Sequence, residues 1–405
     1  MTAEAIAAAP AAYDDARARR NALILAAGQA LFGSATVIMF TTAGLVGIQL
    51  APTKALATAP ITAYVIGTAI STVPAALLMK KIGRKAGFML GGLAGTIGGV
   101  VGIYAIYQRA FWLLLLCAAL QGMFQAFIQH SRFAAADMAS PAFKPKAVAW
   151  VMTGGVAAAI FGTGLVMATV NLLAPVTFAG CFLAMTVLSA LTIAVMALLD
   201  IPQRHEEVRS GTPRPLAAIV KQPVAIVAIA TAALSYAMMN FVMTAAPIAM
   251  IDCGFTTQSA AWVIQWHVLA MFVPSFFAGH MIARYGAVTI AMWGMALLSG
   301  AALAGLFGIS FSHFAINLVL LGLGWNFGFI GGTTLLTQCY RPEEREKVQG
   351  FNDFVVFGTV AVASLTSGKL LDLQGWQGVN VAVFPAVALA ATLILWSAIR
   401  RKASA

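Results

Sequence analysis

The sequence predicts an all-α integral membrane protein in which twelve transmembrane helices form two pseudo-symmetric six-helix halves. Of its 405 residues, 61% are hydrophobic and only 9% are charged, and a soluble domain of this size cannot bury so large an apolar fraction. No ionisable side chain lies between Arg20 and Lys54, a stretch longer than one bilayer crossing requires. One long hydrophilic segment, residues 200–215, divides the apolar stretches into six and six.

Apolar windows place the first helix at residues 21–48, directly after the polar segment YDDARARR. This run is too long for the core of a cleavable signal peptide, so we expect it to be the first span. The other spans of the N-terminal half are predicted at residues 57–79, 86–107, 111–134, 147–170 and 174–199. Those of the C-terminal half are predicted at residues 222–250, 258–283, 287–309, 311–340, 349–373 and 376–398. The chain is therefore divided into an N-terminal half (1–199), a cytoplasmic linker (200–221) and a C-terminal half (222–405).

The basic residues predict the orientation in the membrane. An even number of spans puts both termini on one side. With cytoplasmic termini, all but three of the 24 lysines and arginines lie in cytoplasmic segments, the exceptions being Lys54, Arg109 and Lys369. Because basic residues accumulate on the cytoplasmic side, we expect cytoplasmic termini and place the 251–257 loop outside.

A repeated loop relates the two halves. ALLMKKIGRK follows the second span and GHMIARYG follows the eighth, so that Lys81-x-Gly83 matches Arg284-x-Gly286. In both copies glycine permits a tight turn and the basic side chain stays in the headgroup zone. Two six-helix halves with this loop resemble the major facilitator superfamily over the whole chain, although the first copy has Ala76 where the family motif usually has glycine. The resemblance implies a secondary transporter.

Cysteine spacing and charge distribution argue against several other classes of protein. The four cysteines form no CxxC pair, which argues against a zinc site and a disulfide framework. The net charge of +11 is scattered in short loop clusters, as membrane topology requires, so we expect no nucleic-acid partner. No nucleophile–base pair or cofactor motif is visible, and we expect neither an enzyme nor a bound cofactor.

Two short motifs place sulfur and imidazole donors inside the membrane. Met239-x-x-x-Met243 lies in the seventh span and His267-x-x-x-Met271 in the eighth. Residues four apart share one helix face, and the two antiparallel spans bring the pairs to matched depths. Thioether sulfur and neutral imidazole suit Cu(I) and not magnesium or calcium. The four residues are candidate ligands of a soft metal ion, and core packing is the alternative role of the methionines.

This pair of motifs resembles the CcoA-type copper importers, a bacterial branch of the major facilitator superfamily. The resemblance implies copper import across the bacterial cytoplasmic (inner) membrane, supplying the assembly of cbb3-type cytochrome c oxidase. Copper is then the transported substrate, and a cytoplasmic or membrane copper chaperone is an expected partner. We expect a monomer in the lipid bilayer. Related members of the branch resemble flavin importers, which are not expected to carry these motifs.

A second candidate set is polar and aromatic. Gln121, Gln125 and Gln129 recur at every fourth residue of the fourth span. Candidates to join them around a cavity are Trp262, Trp266, Trp325, Asn326 and Asn352. Amides and aromatic rings suit a flat organic molecule such as riboflavin, and hydrogen bonding between helices is the alternative role of the glutamines. Near the outer end, Cys253 and Met250 are candidates for capturing an ion before entry.

The leading hypothesis from the sequence is a copper importer that works by alternating access of its two halves. An importer of a neutral organic solute such as riboflavin is the first alternative, and a non-transporting membrane copper chaperone or sensor is the second. Asp353 is the one acidic residue clearly within a span, so binding of a hard cation is not expected. Twelve repeated spans favour transport, because holding one ion needs far less protein.

Overall fold

The computed structural model describes residues 14–140, 143–201 and 214–403, which contain helices and turns and no strand. The helices of the N-terminal half are α1 (Asp15–Leu50), α2 (Ala59–Ile82), α3 (Arg84–Tyr107), α4 (Phe111–Ile128), α5 (Ser131–Met138), α6 (Lys144–Thr169) and α7 (Ala179–Ala197). Those that follow are α8 (Leu216–Val220), α9 (Pro223–Asp252), α10 (Thr257–Phe272), α11 (Ser275–Tyr285), α12 (Ala287–Phe307), α13 (Phe311–Thr337), α14 (Arg345–Val381) and α15 (Val383–Ala403). The central part of the predicted linker, with Arg204 and Arg209, lies outside the described residues.

The described residues contain ten helical stretches that could each cross a membrane, eleven with the bent pair, and dividing the longest gives the twelve spans that the sequence predicts. Ten helical stretches are long and apolar enough to cross a membrane, and the bent pair α10 and α11 forms a further crossing. One of the ten, Lys347–Ser397, has 51 residues and would be about 76 Å long if straight, more than twice the roughly 30 Å hydrocarbon core. This stretch turns at Gly375, whose φ is +64°, and it therefore supplies two crossings.

The eighth span is bent by 43° between α10 and α11, at Pro274. Proline has no amide hydrogen and cannot continue the helical hydrogen bonds, and an unsatisfied carbonyl is costly inside a membrane. Asn326 of α13 compensates, because its Nδ2 donates to the Met271 carbonyl and to Ser275 Oγ, each at 2.7 Å. Asn326 therefore supports the bend.

The repeated loop has the same backbone in both halves. Gly83 has φ +85° and ψ 156°, and Gly286 has φ +84° and ψ 151°. This conformation is accessible to glycine and strained for any other residue. The two turns join α2 to α3 and α11 to α12, as expected from an internal repeat.

The two halves are in contact at one end of the bundle and also between α6 and α10, where Gly155 lies against the Phe272 ring. The predicted topology puts the α9–α10 loop at this end, which we name the outer end, and the α2–α3 loop at the opposite, inner end. At the outer end, Lys54 Nζ lies 2.9 Å from Asp252 Oδ2, and Thr58 Oγ1 donates to the Ser364 carbonyl at 3.0 Å. Each of these contacts joins the N-terminal to the C-terminal half at the outer end.

At the inner end, the contacts of the described residues involve charged side chains. Arg214 Nε lies 2.7 Å from Glu344 Oε1, and this pair joins the linker to the C-terminal half. The hydrogen bonds from Arg214 lower the pKa of Glu344 to about 2, so the pair is charged at neutral pH. Between the halves, the Arg345 guanidinium lies 5.5 Å from the centre of the Phe133 ring.

Candidate functional site between the two halves

The seventh and eighth spans both pack against α13. On one side of α13, the Tyr236 ring of α9 contacts the Trp325 ring, with centroids 5.4 Å apart. On the other side, Gly322 lies against the backbone of His267 and Met271 in α10. A Cβ at Gly322 would lie 2.6 Å from the His267 carbonyl oxygen, so the absence of a side chain permits this close approach. Helix α13 thus sets the relative heights of α9 and α10.

The four candidate metal ligands are buried at matching depths on these two helices. Their exposed fractions are 1% for Met239, 5% for Met243, 0% for His267 and 8% for Met271. Met243 lies two turns outward from Tyr236, at the level where His267 contacts α13. Met239 and Met271 each lie one turn further inward. The packing therefore puts sulfur donors of α9 level with the imidazole and the sulfur of α10.

His267 is held by one hydrogen bond to α13. Its Nδ1 lies 2.7 Å from the Leu318 carbonyl oxygen, which can only accept, so Nδ1 carries the proton and Nε2 of the neutral ring keeps a free lone pair. Nε2 is buried and has no hydrogen-bond partner among the described residues. In that part of the chain no three His, Cys, Asp or Glu side chains cluster as a metal site. A metal ion at His267 would therefore need thioether donors.

The glutamine stripe of α4 bonds to neighbouring helices. The three contacts are Gln121 Nε2 to the Gly95 carbonyl (2.8 Å), Gln125 Oε1 from Tyr64 Oη (3.0 Å) and Gln129 Nε2 to Thr72 Oγ1 (3.3 Å). Gln121 is buried, whereas Gln125 and Gln129 keep partial exposure. This geometry supports the role in interhelical hydrogen bonding, most clearly for Gln121.

The tryptophans and asparagines expected around the cavity do not share one environment. Trp262 and Trp266 are 44% and 51% exposed on α10, and their place around a cavity stays a prediction. Asn326 supports the bend of the eighth span, and Asn352 Nδ2 donates to Asp353 Oδ1 at 3.2 Å. Among the five, Trp325 alone enters an aromatic cluster of the described residues.

We name this cluster the aromatic group: Tyr236 of α9, Trp325 and Phe329 of α13, and Phe357 of α14. The Tyr236 ring lies 5.4 Å from Trp325, 5.4 Å from Phe329 and 5.9 Å from Phe357, in edge-to-face contacts. Trp325 stacks on Phe329 at 5.5 Å and 9°. The Trp325 indole N–H is buried without a hydrogen-bond partner among the described residues. Sequence analysis missed Tyr236, Phe329 and Phe357, although Trp325 and Phe329 are spaced as neighbours on one helix face.

The N-terminal half supplies rings and an amide opposite the aromatic group. The Phe40 and Tyr64 rings are in edge-to-face contact with centroids 5.3 Å apart, and Tyr64 donates its hydrogen bond to Gln125. Tyr64 lies within electrostatic range of Tyr236, which belongs to the other half. A flat solute in the seam would therefore meet aromatic side chains from both halves.

The seam also carries charge. Arg132 of α5 is solvent-exposed and lies within electrostatic range of Asp353 and Tyr236 in the C-terminal half. From the sequence, Arg132 was expected to end the fourth span and Asp353 to lie near the start of the eleventh. The structure brings the two residues within electrostatic range of each other.

Cys253 follows the last residue of α9 at the outer end. The thiol is exposed and free, whereas Cys117, Cys181 and Cys339 are free and buried. Partial burial and the charge of Asp252 raise the pKa of Cys253.

Twelve membrane-spanning helices in two halves, with partly exposed side chains along the seam between them, define a membrane transport protein. The chain belongs to the Major Facilitator Superfamily, whose model matches residues 23–264 and 227–405. The nucleoside transporter NupG shares the fold with a TM-score of 0.70 and 14% identity, over 94% of this chain and 98% of that one. The human organic anion transporter MFSD10 does so with a TM-score of 0.64 and 14% identity, over 93% and 99%. These similarities extend to the fold alone.

Sequence relatives give a finer comparison. The riboflavin transporter RfnT of Brucella anthropi is 44% identical over 93% of this chain and 95% of that protein. The uncharacterized MFS-type transporter YdeG of Bacillus subtilis is 26% identical over 94% and 92%. None of the relatives named here is described as a copper importer. The comparisons therefore agree better with the organic-solute alternative than with the leading copper hypothesis.

Proposed function

We propose that this protein imports a flat, hydrogen-bonding aromatic solute, with riboflavin as the first choice, by alternating access of its two halves. The observation that carries the proposal is the aromatic group on the seam, with its stacked Trp325 and Phe329 rings and an unpartnered indole N–H. The 44% identity to a riboflavin transporter supports it.

The chemistry of riboflavin fits these side chains. Its isoalloxazine ring has two flat faces and an edge of carbonyl and ring-nitrogen acceptors. Aromatic side chains stack against such faces, and the Trp325 N–H supplies a donor for the edge. From the N-terminal half, Tyr64 and Gln125 add a hydroxyl and an amide.

Uptake of radiolabelled riboflavin by cells without their own riboflavin import tests the proposal. We expect Trp325→Leu to reduce uptake at low substrate by about tenfold, because it removes roughly 1.4 kcal/mol of stacking and hydrogen bonding. Trp325→Phe keeps a ring and loses only the N–H, so its loss should be smaller. Trp266→Leu, an exposed tryptophan of α10, is the matched control and should transport normally. Full riboflavin uptake by Trp325→Leu contradicts the proposal.

A copper cargo is the second candidate, and the free Nε2 of His267 favours it. This buried lone pair lies at the level of Met243, with Met239 and Met271 one turn inward. In this alternative the four residues bind Cu(I) in transit, as the resemblance to CcoA-type importers implies. A cytoplasmic or membrane chaperone would then receive the ion for cbb3-type oxidase assembly.

The double variant Met239→Leu with His267→Leu tests the copper alternative. Leucine conserves the volume of methionine at a cost below about 1.5 kcal/mol and offers no donor atom, so uptake of radioactive copper should be lost while the protein still inserts. Met238→Leu, the neighbouring methionine on α9, is the control and should transport normally. Unchanged copper uptake by the double variant removes the four residues as ligands.

Both assays on the same set of variants separate the candidates. Riboflavin uptake that is lost with Trp325→Leu and kept in the double variant supports the first proposal. Copper uptake that is kept with Trp325→Leu and lost in the double variant supports the second. Copper that binds without accumulating in cells supports the chaperone or sensor alternative. In each case we propose a monomer in the bacterial cytoplasmic membrane, with both termini cytoplasmic.

A further inference from the structure

Tyr64 lies at the depth of the aromatic group. At the outer end, Thr58 of α2 donates to the Ser364 carbonyl of α14 at 3.0 Å. Helix α2 runs inward from this bond, α14 runs outward toward it, and the two helices pack against each other. Tyr64 lies six residues inward from Thr58, and Phe357 lies seven residues inward along α14. At about 1.5 Å per residue, both residues are about 10 Å inward from the bond, at the same height on opposite halves.

A second contact between the halves places Phe40 near the same depth. A Cβ at Gly44 of α1 would lie 3.2 Å from Ile248 Cδ1 of α9, so these two helices approach closely. Phe40 lies one turn inward from Gly44 and keeps partial exposure. Its ring contacts the Tyr64 ring, with centroids 5.3 Å apart. Rings of the N-terminal half therefore border the seam at the height of Phe357.

Gln125 of α4 has a nitrogen that is free to bind a solute. Tyr64 Oη donates to Gln125 Oε1 at 3.0 Å, and this bond fixes which end of the amide faces Tyr64. Gln125 Nε2 carries two donor hydrogens and has no hydrogen-bond partner among the described residues. Gln121 and Gln129, its neighbours on the stripe, use their Nε2 groups in bonds to other helices. Gln125 is also partly exposed, so its donors are accessible.

Donors from both halves thus border this part of the seam. The Trp325 indole N–H of the aromatic group is buried without a partner among the described residues, and Gln125 adds two N–H groups from the N-terminal half. A solute held between them must present acceptors, such as carbonyl oxygens or unprotonated ring nitrogens. A solute with N–H groups at those points would leave donors facing donors, and unsatisfied buried donors are costly.

We propose that Gln125 is a specificity-determining residue whose Nε2 donates to a carbonyl oxygen or unprotonated ring nitrogen of the solute. Tyr64 positions this amide by holding its oxygen. Gln125 contacts the solute, whereas Tyr64 acts through Gln125. The inference rests on the proposed organic-solute function and adds to it the hydrogen-bonding pattern of the solute: a flat heteroaromatic ring with an acceptor edge.

The concentration dependence of radiolabelled riboflavin uptake, in cells without their own riboflavin import, tests the role of Gln125. Gln125→Glu keeps the side-chain shape and the acceptor for Tyr64 but puts an oxygen in place of the donor nitrogen. We expect its KM to rise about tenfold, at an unchanged amount of protein in the membrane. Gln125→Met is uncharged and offers no donor, so its KM should rise as well. Gln129→Glu, one turn inward on the same stripe, is the matched control for the added charge and should keep the wild-type KM.

The variant Tyr64→Phe tests the positioning role. It keeps the ring and frees the amide of Gln125 to rotate, so KM should rise about threefold. In the Gln125→Glu background the same change should have no further effect on KM, because Tyr64 acts through the amide. A purely structural role of Tyr64 predicts instead an equal loss of folded protein or of maximal rate in both backgrounds.

Three results overturn the proposal. They are a wild-type KM in Gln125→Glu, a wild-type KM in Gln125→Met, which assigns the effect of glutamate to its charge, and equal effects of Tyr64→Phe on KM in both backgrounds. If Gln125→Glu transports normally while Trp325→Leu loses uptake, the role of Gln125 is rejected and the riboflavin proposal stands. Absence of uptake by the wild type rejects the riboflavin proposal itself, and the role of Gln125 with it.

Discussion

His267 depends on a single hydrogen bond for the chemistry that it offers. Donation from Nδ1 to the Leu318 carbonyl leaves Nε2 as a buried acceptor, and either a soft metal ion or an N–H or O–H group of a solute can use that lone pair. The residue is therefore compatible with both cargoes. The surrounding side chains distinguish the two cargoes, because the methionines favour copper whereas the aromatic group favours a flat ring.

Cys253, again a single residue, provides a native chemical probe. Burial and the Asp252 charge raise its pKa, and the thiolate is the reactive form. We expect a maleimide reagent to react slowly at neutral pH and faster as pH rises. Asp252→Asn removes a negative charge and lowers the pKa, so the pH–rate curve should move to lower pH. A curve that stays in place contradicts the effect of Asp252.

At the scale of helices, the two matching loops show how a local backbone requirement repeats through the fold. Gly83 and Gly286 end equivalent helices in nearly identical conformations. Helix α13 has a different role, since Gly322 admits the backbone of α10 while Asn326 bonds to it. Short-range turns and small residues thus set the heights at which the site residues lie.

Replacing Gly286 by alanine should lower the free energy of unfolding by about 1–3 kcal/mol, because the backbone conformation is one that side chains rarely adopt. Nothing lies within 4 Å of an added Cβ there, so the cost is backbone strain alone. Gly164→Ala is the control: it lies inside α6, also with nothing within 4 Å and without positive φ, and alanine is the better helix former. Thermal unfolding in detergent measures both, and equal midpoints would argue against strain at Gly286.

At the scale of the whole molecule, contacts at the outer end join the two halves. Lys54 pairs with Asp252, and Thr58 donates to the Ser364 carbonyl. The maleimide probe also tests the predicted orientation, since a membrane-impermeant reagent should label Cys253 in intact cells.

Hydropathy and periodicity were sufficient to predict the membrane environment, the twelve spans and the repeated loop. Each of these depends on contiguous residues, because the lipid phase requires about 20 apolar residues in a row. The sequence was also sufficient to predict the depths of the four candidate ligands, Met239, Met243, His267 and Met271. Each residue of a helix adds a fixed rise, so the number of residues from the end of a span gives the depth in the bilayer. Their chemical role stays a prediction.

Tertiary structure alone decided which distant residues meet. Tyr236 and Phe357 are far apart in the chain, and their contact depends on how α9, α13 and α14 pack. The proximity of Arg132 and Asp353 depends on how the two halves face each other. The same packing leaves Trp262 and Trp266 exposed on α10. Composition and spacing were enough to predict the class of protein and the depth of each side chain in the bilayer. Which side chains share a site depends on how the helices pack side by side, and no local pattern encodes that packing.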